Sequence, residues 1–184
     1  MEDGYGAVTP EAACACGQVD RAGFDRLFPS PDDLVLAALN AHWSDLKGYL
    51  DQSFASGIAP LEKLRRFFDG ITGFQDAQFS KLGCVVGCLL LRVGSAAARM
   101  DEKLRRRVTE MLTELHGYVE QALVEAQEQG QVRQGDIPTM AWTLIHYTEG
   151  VLGMARIQND PQMLHGMMDR SLEFLGAEPL PRRS

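Results

Sequence analysis

The sequence contains few cysteines and no long uninterrupted hydrophobic run, and each absence excludes a class of protein. Its four cysteines form two close pairs, Cys14/Cys16 and Cys84/Cys88, whereas the disulfide framework of a short secreted protein spreads its cysteines along the chain. The longest apolar stretch, residues 84–93, is too short to span a bilayer. No signal-peptide pattern is present either. We therefore expect a reduced, cytoplasmic protein that has no membrane partner.

Positive charge is also scarce. Lysine and arginine together number 18 against 25 aspartates and glutamates, and the net charge is -7. This balance argues against a protein that coats nucleic acid through bulk positive charge, although it leaves room for a local basic surface. Hydrophobic residues make up 45% of the chain and charged residues 23%, which is typical of a folded globular protein.

Strand patterns are nearly absent, and apolar residues instead recur at spacings of three and four between helix-start and helix-stop residues. This pattern predicts an all-α fold. The predicted helices cover residues 9–16, 21–27, 31–55, 60 onwards, 83–94, 101–129, 137–156 and 162–175. The helix over 83–94 is apolar nearly all round, so we expect it to be central and buried.

Several helix starts carry recognisable capping residues. Ser30 and Asp136 are predicted caps, and Asp160-Pro161 is predicted to start the last helix. On the long helix that begins at Pro31, the expected apolar side consists of Leu34, Ala37, Ala38, Ala41, Leu46 and Leu50. Before it, Phe24, Leu27 and Phe28 fit a small hydrophobic core better than an aromatic surface for nucleic acid.

The first two short helices are joined by the tight connection Gly17-Gln18-Val19, which makes them a helix-turn-helix candidate. The order of motifs around this connection resembles the DNA-binding head of the TetR family of transcription regulators. The motifs that carry the resemblance are Gly4-Tyr5, Ala7-Val8-Thr9, Val19-Asp20-Arg21-Ala22-Gly23-Phe24, Phe28-Pro29-Ser30 and Asp33-Leu34. The helical remainder resembles the ligand-binding bodies of the same family.

The resemblance implies a helix-turn-helix head at residues 1–33 and a ligand-binding and dimerisation body at residues 34–184. It implies a homodimeric regulator, in most cases a repressor, that binds operator DNA and is released by a small, largely apolar effector. No cofactor is implied. The implied DNA-binding residues are Thr9, Arg21, Ala22, Gly23 and Arg26.

Departures from the family pattern concern the head. Members of the family have a first helix before the Gly-aromatic turn, but only residues 1–3 precede Gly4 here. We therefore expect a head that lacks this helix, whether through a start assigned too late, truncation or real loss. At three positions the residue differs from the one usual in the family. Asp25 stands where the family has an aromatic residue that contacts phosphate, Gln18 stands where it has a glycine, and Pro31 stands where it has a lysine. Residues 1–34 contain seven acidic residues against two arginines, a net charge of -5, which is a poor supply of phosphate contacts.

A ligand pocket is usually apolar with a few converging polar groups. In proteins similar to this one, the cavity lies beside the long helix that follows the head. Each candidate residue taken alone also fits a plain hydrophobic core. The candidates are Trp43, Phe68, Cys84, Leu90, Met111, Trp142 and His146.

The last two helices contain more apolar residues than one small body requires. The resemblance implies that they pair with their twins in a two-fold four-helix bundle, although methionines also suit an irregular core. The candidate interface residues are Met140, Val151, Met154, Met163, Met167, Leu172 and Phe174.

Two other functions deserve comparison with an effector-released repressor. A ligand-binding or dimerisation protein that no longer reads DNA would explain the acidic head. A cysteine-based redox or electrophile sensor would use Cys84 and Cys88, but these are expected on a buried helix, where cysteine behaves as a small hydrophobe. No metal-ligand spacing and no catalytic grouping stands out, so we expect neither a metal site nor an enzyme.

Overall fold

A computed structural model describes Cys14 and residues 20–97 and 102–180. Within these ranges the chain forms α-helices and no β-strand, which confirms the predicted all-α class. The helices are α1 Arg21–Leu27, α2 Pro31–Ser53, α3 Pro60–Leu82, α4 Leu89–Ala97, α5 Glu102–Glu128, α6 Ile137–Gln158 and α7 Met167–Leu175, with a 3-10 turn at Pro161–Leu164. The predicted first helix (apart from Cys14), the connection over 17–19 and Thr9 lie outside the described residues.

The starts of α1 and α2 follow from local capping. The Asp20 carboxylate accepts a hydrogen bond from the Gly23 amide at 2.7 Å. At the start of α2, the Asp33 amide donates to Ser30 Oγ at 3.2 Å, and the Ser30 amide donates to the Asp33 carboxylate at 3.1 Å. This reciprocal capping satisfies amides that a helix start leaves without partners. Asp136 precedes α6 as predicted, but its side chain forms no capping bond.

The predicted apolar side of α2 is partly wrong. Leu50 is buried, but Ala37, Ala38 and Ala41 are exposed. The buried positions earlier in the helix are instead Val35, Leu39 and Trp43. These larger side chains remove more apolar area from water than alanines do, so they determine which side faces inward.

The chain divides into two compact units, and its functional division at residue 33 remains a prediction. The first unit comprises Met1–Leu46 and Leu89–Met111. In its described part, α4 approaches α5 closely, because a Cβ added to Gly94 would meet Val108 Cγ1 at 3.0 Å. Its buried apolar residues are Phe24, Val35, Leu39, Trp43, Leu90, Val93, Leu104, Val108 and Met111.

The second unit comprises Lys47–Cys88 and Leu112–Ser184. Its described core combines apolar residues of α3, the later part of α5, α6 and α7. Beside this core, the ammonium group of buried Lys63 on α3 forms an ion pair with Glu125 on α5. The core residues are Leu61, Leu64, Val119, Ala122, Leu123, Ala126, Val132, Ile137, Met140, Ala141, Leu144, Leu172 and Leu175.

Two predicted helices are interrupted by glycines in left-handed backbone. The expected buried helix over 83–94 begins only at Leu89, because Gly83 (φ 71°) ends α3 and Gly87 (φ 70°) also lies in the left-handed region. The last helix is split in the same way by Gly166, with φ 80°. Left-handed backbone costs glycine little and cannot continue a right-handed helix.

Candidate functional site

The head helix α1 is anchored by one aromatic pair. Phe24 is buried, and its ring centroid lies 5.3 Å from that of Phe28. Leu27 is 68% exposed, so its predicted place in the head core is wrong. The seven-residue helix α1 buries only one side, and the residue on that side is Phe24. The predicted DNA-binding residues Arg21, Ala22 and Arg26 are exposed, and Gly23 is half-buried.

Both arginines of α1 already have partners on the same helix. Arg21 Nε donates to Asp25 at 2.8 Å, in an exposed ion pair. Arg26 Nε donates to the Ala22 carbonyl at 3.3 Å. An exposed ion pair of this kind contributes little stability and exchanges readily with water. A DNA phosphate or base could therefore recruit Arg21 only in competition with Asp25.

Residues 83–88 form a loop that two distant side chains hold in place. The Gln75 side chain on α3 donates to the Gly87 carbonyl at 3.1 Å and accepts from the Gly87 amide at 3.0 Å. Asn159 donates to the Gly83 carbonyl at 3.1 Å and accepts from the Val85 amide at 2.9 Å. Neither anchor was predicted from the sequence. The signal for Asn159 was its place after a helix, where asparagine tolerates the left-handed conformation (φ 52°).

The two cysteines of this region differ in environment. Cys84 is exposed, so its predicted place on a buried helix is wrong, whereas its place in the ligand pocket remains a prediction. The half-buried Cys88 donates a hydrogen bond to Glu149 on α6. Burial raises the pKa of Glu149, and the bond from Cys88 opposes this rise. A carboxylate neighbour does not stabilise a thiolate, the reactive form of cysteine.

An aromatic stack runs from the interior of the second unit to its surface. The His116 and Trp142 ring centroids lie 4.5 Å apart, and those of Trp142 and His146 lie 5.7 Å apart. His116 is buried and His146 is exposed. His116 Nε2 lies 3.0 Å from the Pro138 carbonyl. A carbonyl only accepts hydrogen bonds, so Nε2 holds a proton.

The structure brings only some of the predicted pocket residues together. Trp142 and His146 meet in the aromatic stack. Phe68 is buried in the second unit, whereas the buried residues Trp43, Leu90 and Met111 belong to the first unit.

A separate cavity of about 280 Å³ opens in the second unit, close to the lower limit for a small-molecule pocket. None of the predicted pocket residues lines it. Partial burial raises the pKa of the Asp69 carboxyl group there, against the lowering effect of Arg65. The lining residues are Tyr49, Gln52, Ser53, Arg66 and Asp69.

The predicted dimer-interface residues divide into buried and exposed groups. Met140, Met167 and Leu172 are 3%, 1% and 2% exposed within one chain. They therefore cannot present a surface to a second copy, and their assignment is wrong. Val151 and Met163 are half-buried, whereas Met154 and Phe174 are exposed.

The outward side of α6 has a further apolar residue that the sequence analysis missed. Ile157 follows Met154 by three positions and is 78% exposed. A Cβ added to Gly150 or Gly153 would meet no atom within 4 Å. The outward side of α6, comprising Gly150, Gly153, Met154 and Ile157, is therefore open and partly apolar.

Comparison with known proteins identifies the class to which this helical body belongs. Residues 60–170 match the family described as "Tetracyclin repressor-like, C-terminal domain". The chain belongs to the TetR family of transcriptional regulators, as its sequence motifs predict. No curated protein matches the sequence. Within the described residues, no helix is long and apolar enough to cross a membrane.

Solved structures support the fold over most of the chain. The regulatory protein TetR from Rhodobacter sphaeroides is 25% identical, with a TM-score of 0.80, and the match covers 92% of this chain and 89% of that one. A TetR-family regulator from Agrobacterium tumefaciens is 19% identical, with a TM-score of 0.81 and coverage of 94% and 88%. A third, from Legionella pneumophila, is 20% identical, with a TM-score of 0.78 and coverage of 94% and 89%.

Proposed function

We propose that the protein is a homodimeric transcriptional repressor that binds operator DNA through its head and releases it when a small, largely apolar effector binds the body. The observation that carries this proposal is the family match over residues 60–170, together with a fold similar to that of solved regulators over most of the chain. We place the protein in the cytoplasm and assign it no catalytic activity.

The proposed DNA-binding surface is the exposed side of α1, with Arg21 and Arg26 as the contacting cations. The capping of α1 by Asp20 and of α2 by Ser30 and Asp33 supports a short rigid helix followed directly by a long one. This arrangement fits a recognition helix in the major groove, followed by a helix that leads into the body. Thr9, Ala22 and Gly23 remain predicted contacts.

The proposed dimer surface is the outward side of α6. Met154 and Ile157 place apolar area there in contact with solvent, and the two nearby glycines would allow a second helix to approach. We also assign to the dimer interface three residues that were predicted for it from the sequence, namely Val151, Met163 and Phe174. A two-fold contact would then use the same surface on both copies.

The proposed effector site includes Trp142 and His146, because they already form one stack that reaches the surface. Phe68, Trp43, Leu90 and Met111 remain predicted lining residues. The ligand would favour one position of α2, the continuous helix that three residues separate from α1. The fraction of molecules competent to bind DNA would fall as a population shift.

The test selects duplexes from a random DNA pool with the full chain and measures their affinity by fluorescence anisotropy. The expected result is enrichment of a two-fold symmetric site, with weaker binding when Arg21→Ala is introduced. Apolar compounds that bind the body should then release the selected duplex. Enrichment of no sequence, with no binding at low salt, would refute the repressor proposal.

One observation favours a second candidate, a DNA-silent ligand-binding protein. Asp25 forms an ion pair with Arg21, and the only other cation of α1 is Arg26. Asp25→Asn separates the two candidates, because it removes the carboxylate that pairs with Arg21 and with it one negative charge of the helix. A repressor should bind its selected duplex more tightly with this change, whereas a DNA-silent protein should show no binding with either residue.

A further inference from the structure

Within the first unit, the start of α5 carries a net positive charge, whereas residues 20–46 carry a net negative charge. Residues 20–46 contain two arginines against five aspartates, a net charge of -3. Residues 102–111, the first turns of α5, contain one lysine and three arginines against two glutamates, a net charge of +2. Both segments belong to the same compact unit. The start of α5 is therefore a candidate basic surface of this unit.

The helix dipole does not account for these cations. The amino end of a helix carries a partial positive charge, which disfavours a cation such as Lys103 in the first turn. Two of the four cations have acidic partners on α5: Arg105 pairs with Glu102, and Arg107 pairs with Glu110. Lys103 and Arg106 are exposed, and neither has an acidic partner within the part of the chain that the structure describes.

A hydrogen bond connects this basic segment to the helix that follows the head. Arg107 Nε donates to Asn40 Oδ1 on α2 at 2.7 Å. Asn40 lies nine residues after Pro31, the first residue of α2, and this corresponds to about 14 Å of helix. Because residues three and four apart share a helix side, Lys103 shares a side of α5 with Arg106, three residues later, and with Arg107, four residues later.

We propose that Lys103 and Arg106 contact phosphates of the DNA that flanks the site bound by the head. The proposal rests on the proposed repressor function and gives the acidic head a source of backbone affinity outside the helix-turn-helix. Phosphates attract cations whatever the base sequence. The two residues should therefore strengthen binding to all duplexes without changing which sequence is preferred.

The test compares the wild-type full chain with the double variant Lys103→Gln/Arg106→Gln, using both the selected duplex and a random-sequence duplex. Each phosphate contact contributes about 0.9 to the slope of log affinity against log salt. The double variant should thus lose about 1.8 of this slope per protomer and weaken on both duplexes by the same factor. The charge-conserving variant Lys103→Arg/Arg106→Lys should retain the slope. Lys81→Gln, an exposed cation of the second unit, should also retain it.

The outcomes separate this inference from the function on which it rests. If the wild-type chain binds the selected duplex and the double variant binds it with the same affinity and salt slope, the inference is overturned. The proposed repressor function would then still stand. A weakening confined to the selected duplex would also overturn it, because that result indicates base contacts. A wild-type chain that binds neither duplex at low salt would overturn both.

Discussion

At the scale of the residue, the burial of Glu149 opposes the ionisation of its carboxyl group. Its Oε2 atom is buried and has no hydrogen-bond partner among the described residues, and desolvation raises the pKa of its carboxyl group. The folded state therefore binds more protons than the unfolded state between the ordinary and the raised pKa. This proton binding stabilises the folded state in full below the ordinary glutamate pKa, and the stabilisation is lost as pH rises through the raised pKa.

Glu149→Gln should consequently increase the free energy of unfolding at neutral pH by about 1 kcal/mol, because it removes a charge that is poorly solvated in the fold. Its advantage over the wild type should shrink as the pH falls towards the ordinary glutamate pKa. Urea unfolding across that range measures the effect. Glu173→Gln on the exposed side of α7 is the matched control and should change stability little. An equal gain at every pH would contradict the explanation.

At the scale of the element, α3 contains two glycines with opposite roles. A Cβ added to Gly70 would overlap the hydroxyl and ring of Tyr49, whose hydroxyl donates to the Arg66 carbonyl. A Cβ added to Gly73 would meet nothing within 4 Å. The close approach of Tyr49 thus explains why residue 70 is a glycine, whereas nothing in the structure requires a glycine at position 73.

Gly73→Ala should stabilise the protein by about 0.5–1 kcal/mol, because alanine restricts the unfolded chain and favours helix. Gly70→Ala should destabilise it by about 1–3 kcal/mol, because Tyr49 must move and its hydrogen bond is lost. Thermal unfolding of the two variants side by side measures both. Stabilisation by both changes would show that Tyr49 relocates without cost.

The elements that the sequence predicted well are those determined by neighbouring residues. The starts of α1 and α2 depend on side chains within three positions of the amides they cap, so their motifs are visible in the sequence. The loop over 83–88 was predicted as helix because its apolar run fits a buried helix equally well. Its actual path depends on Gln75 and Asn159, which are distant in sequence.

The candidate sites show the same limit. The family resemblance identified the class of protein, and of the interface residues predicted on α6 from its apolar surplus, Met154 is exposed. Periodicity could not tell which methionines face outward, so Met140 and Met167 were assigned to a surface although they lie inside one chain. Exposure depends on the packing of other helices, which no local pattern contains.

At the scale of the whole molecule, the outward side of α6 determines the expected state of assembly. Ile157→Asp should weaken the proposed dimer at least tenfold, because a carboxylate would be buried in an apolar contact at a cost of about 2 kcal/mol or more. Sedimentation velocity over a concentration series measures the change. Leu82→Asp, at another exposed apolar residue, should leave the dissociation constant unchanged. A wild-type chain that stays monomeric at all concentrations would contradict the proposed dimer.

The anchors of the 83–88 loop have a consequence for how the second unit opens. The amides of Val85 and Gly87 donate to Asn159 and Gln75 and not to a regular helix or sheet. Exchange with deuterated solvent therefore requires Val85 to detach from Asn159 and Gly87 to detach from Gln75. These two amides should exchange about as slowly as helical amides nearby, and Asn159→Gly should accelerate Val85 while Gly87 keeps its protection. A segment without regular secondary structure would then report separately on its attachment to α3 and to the residue that follows α6.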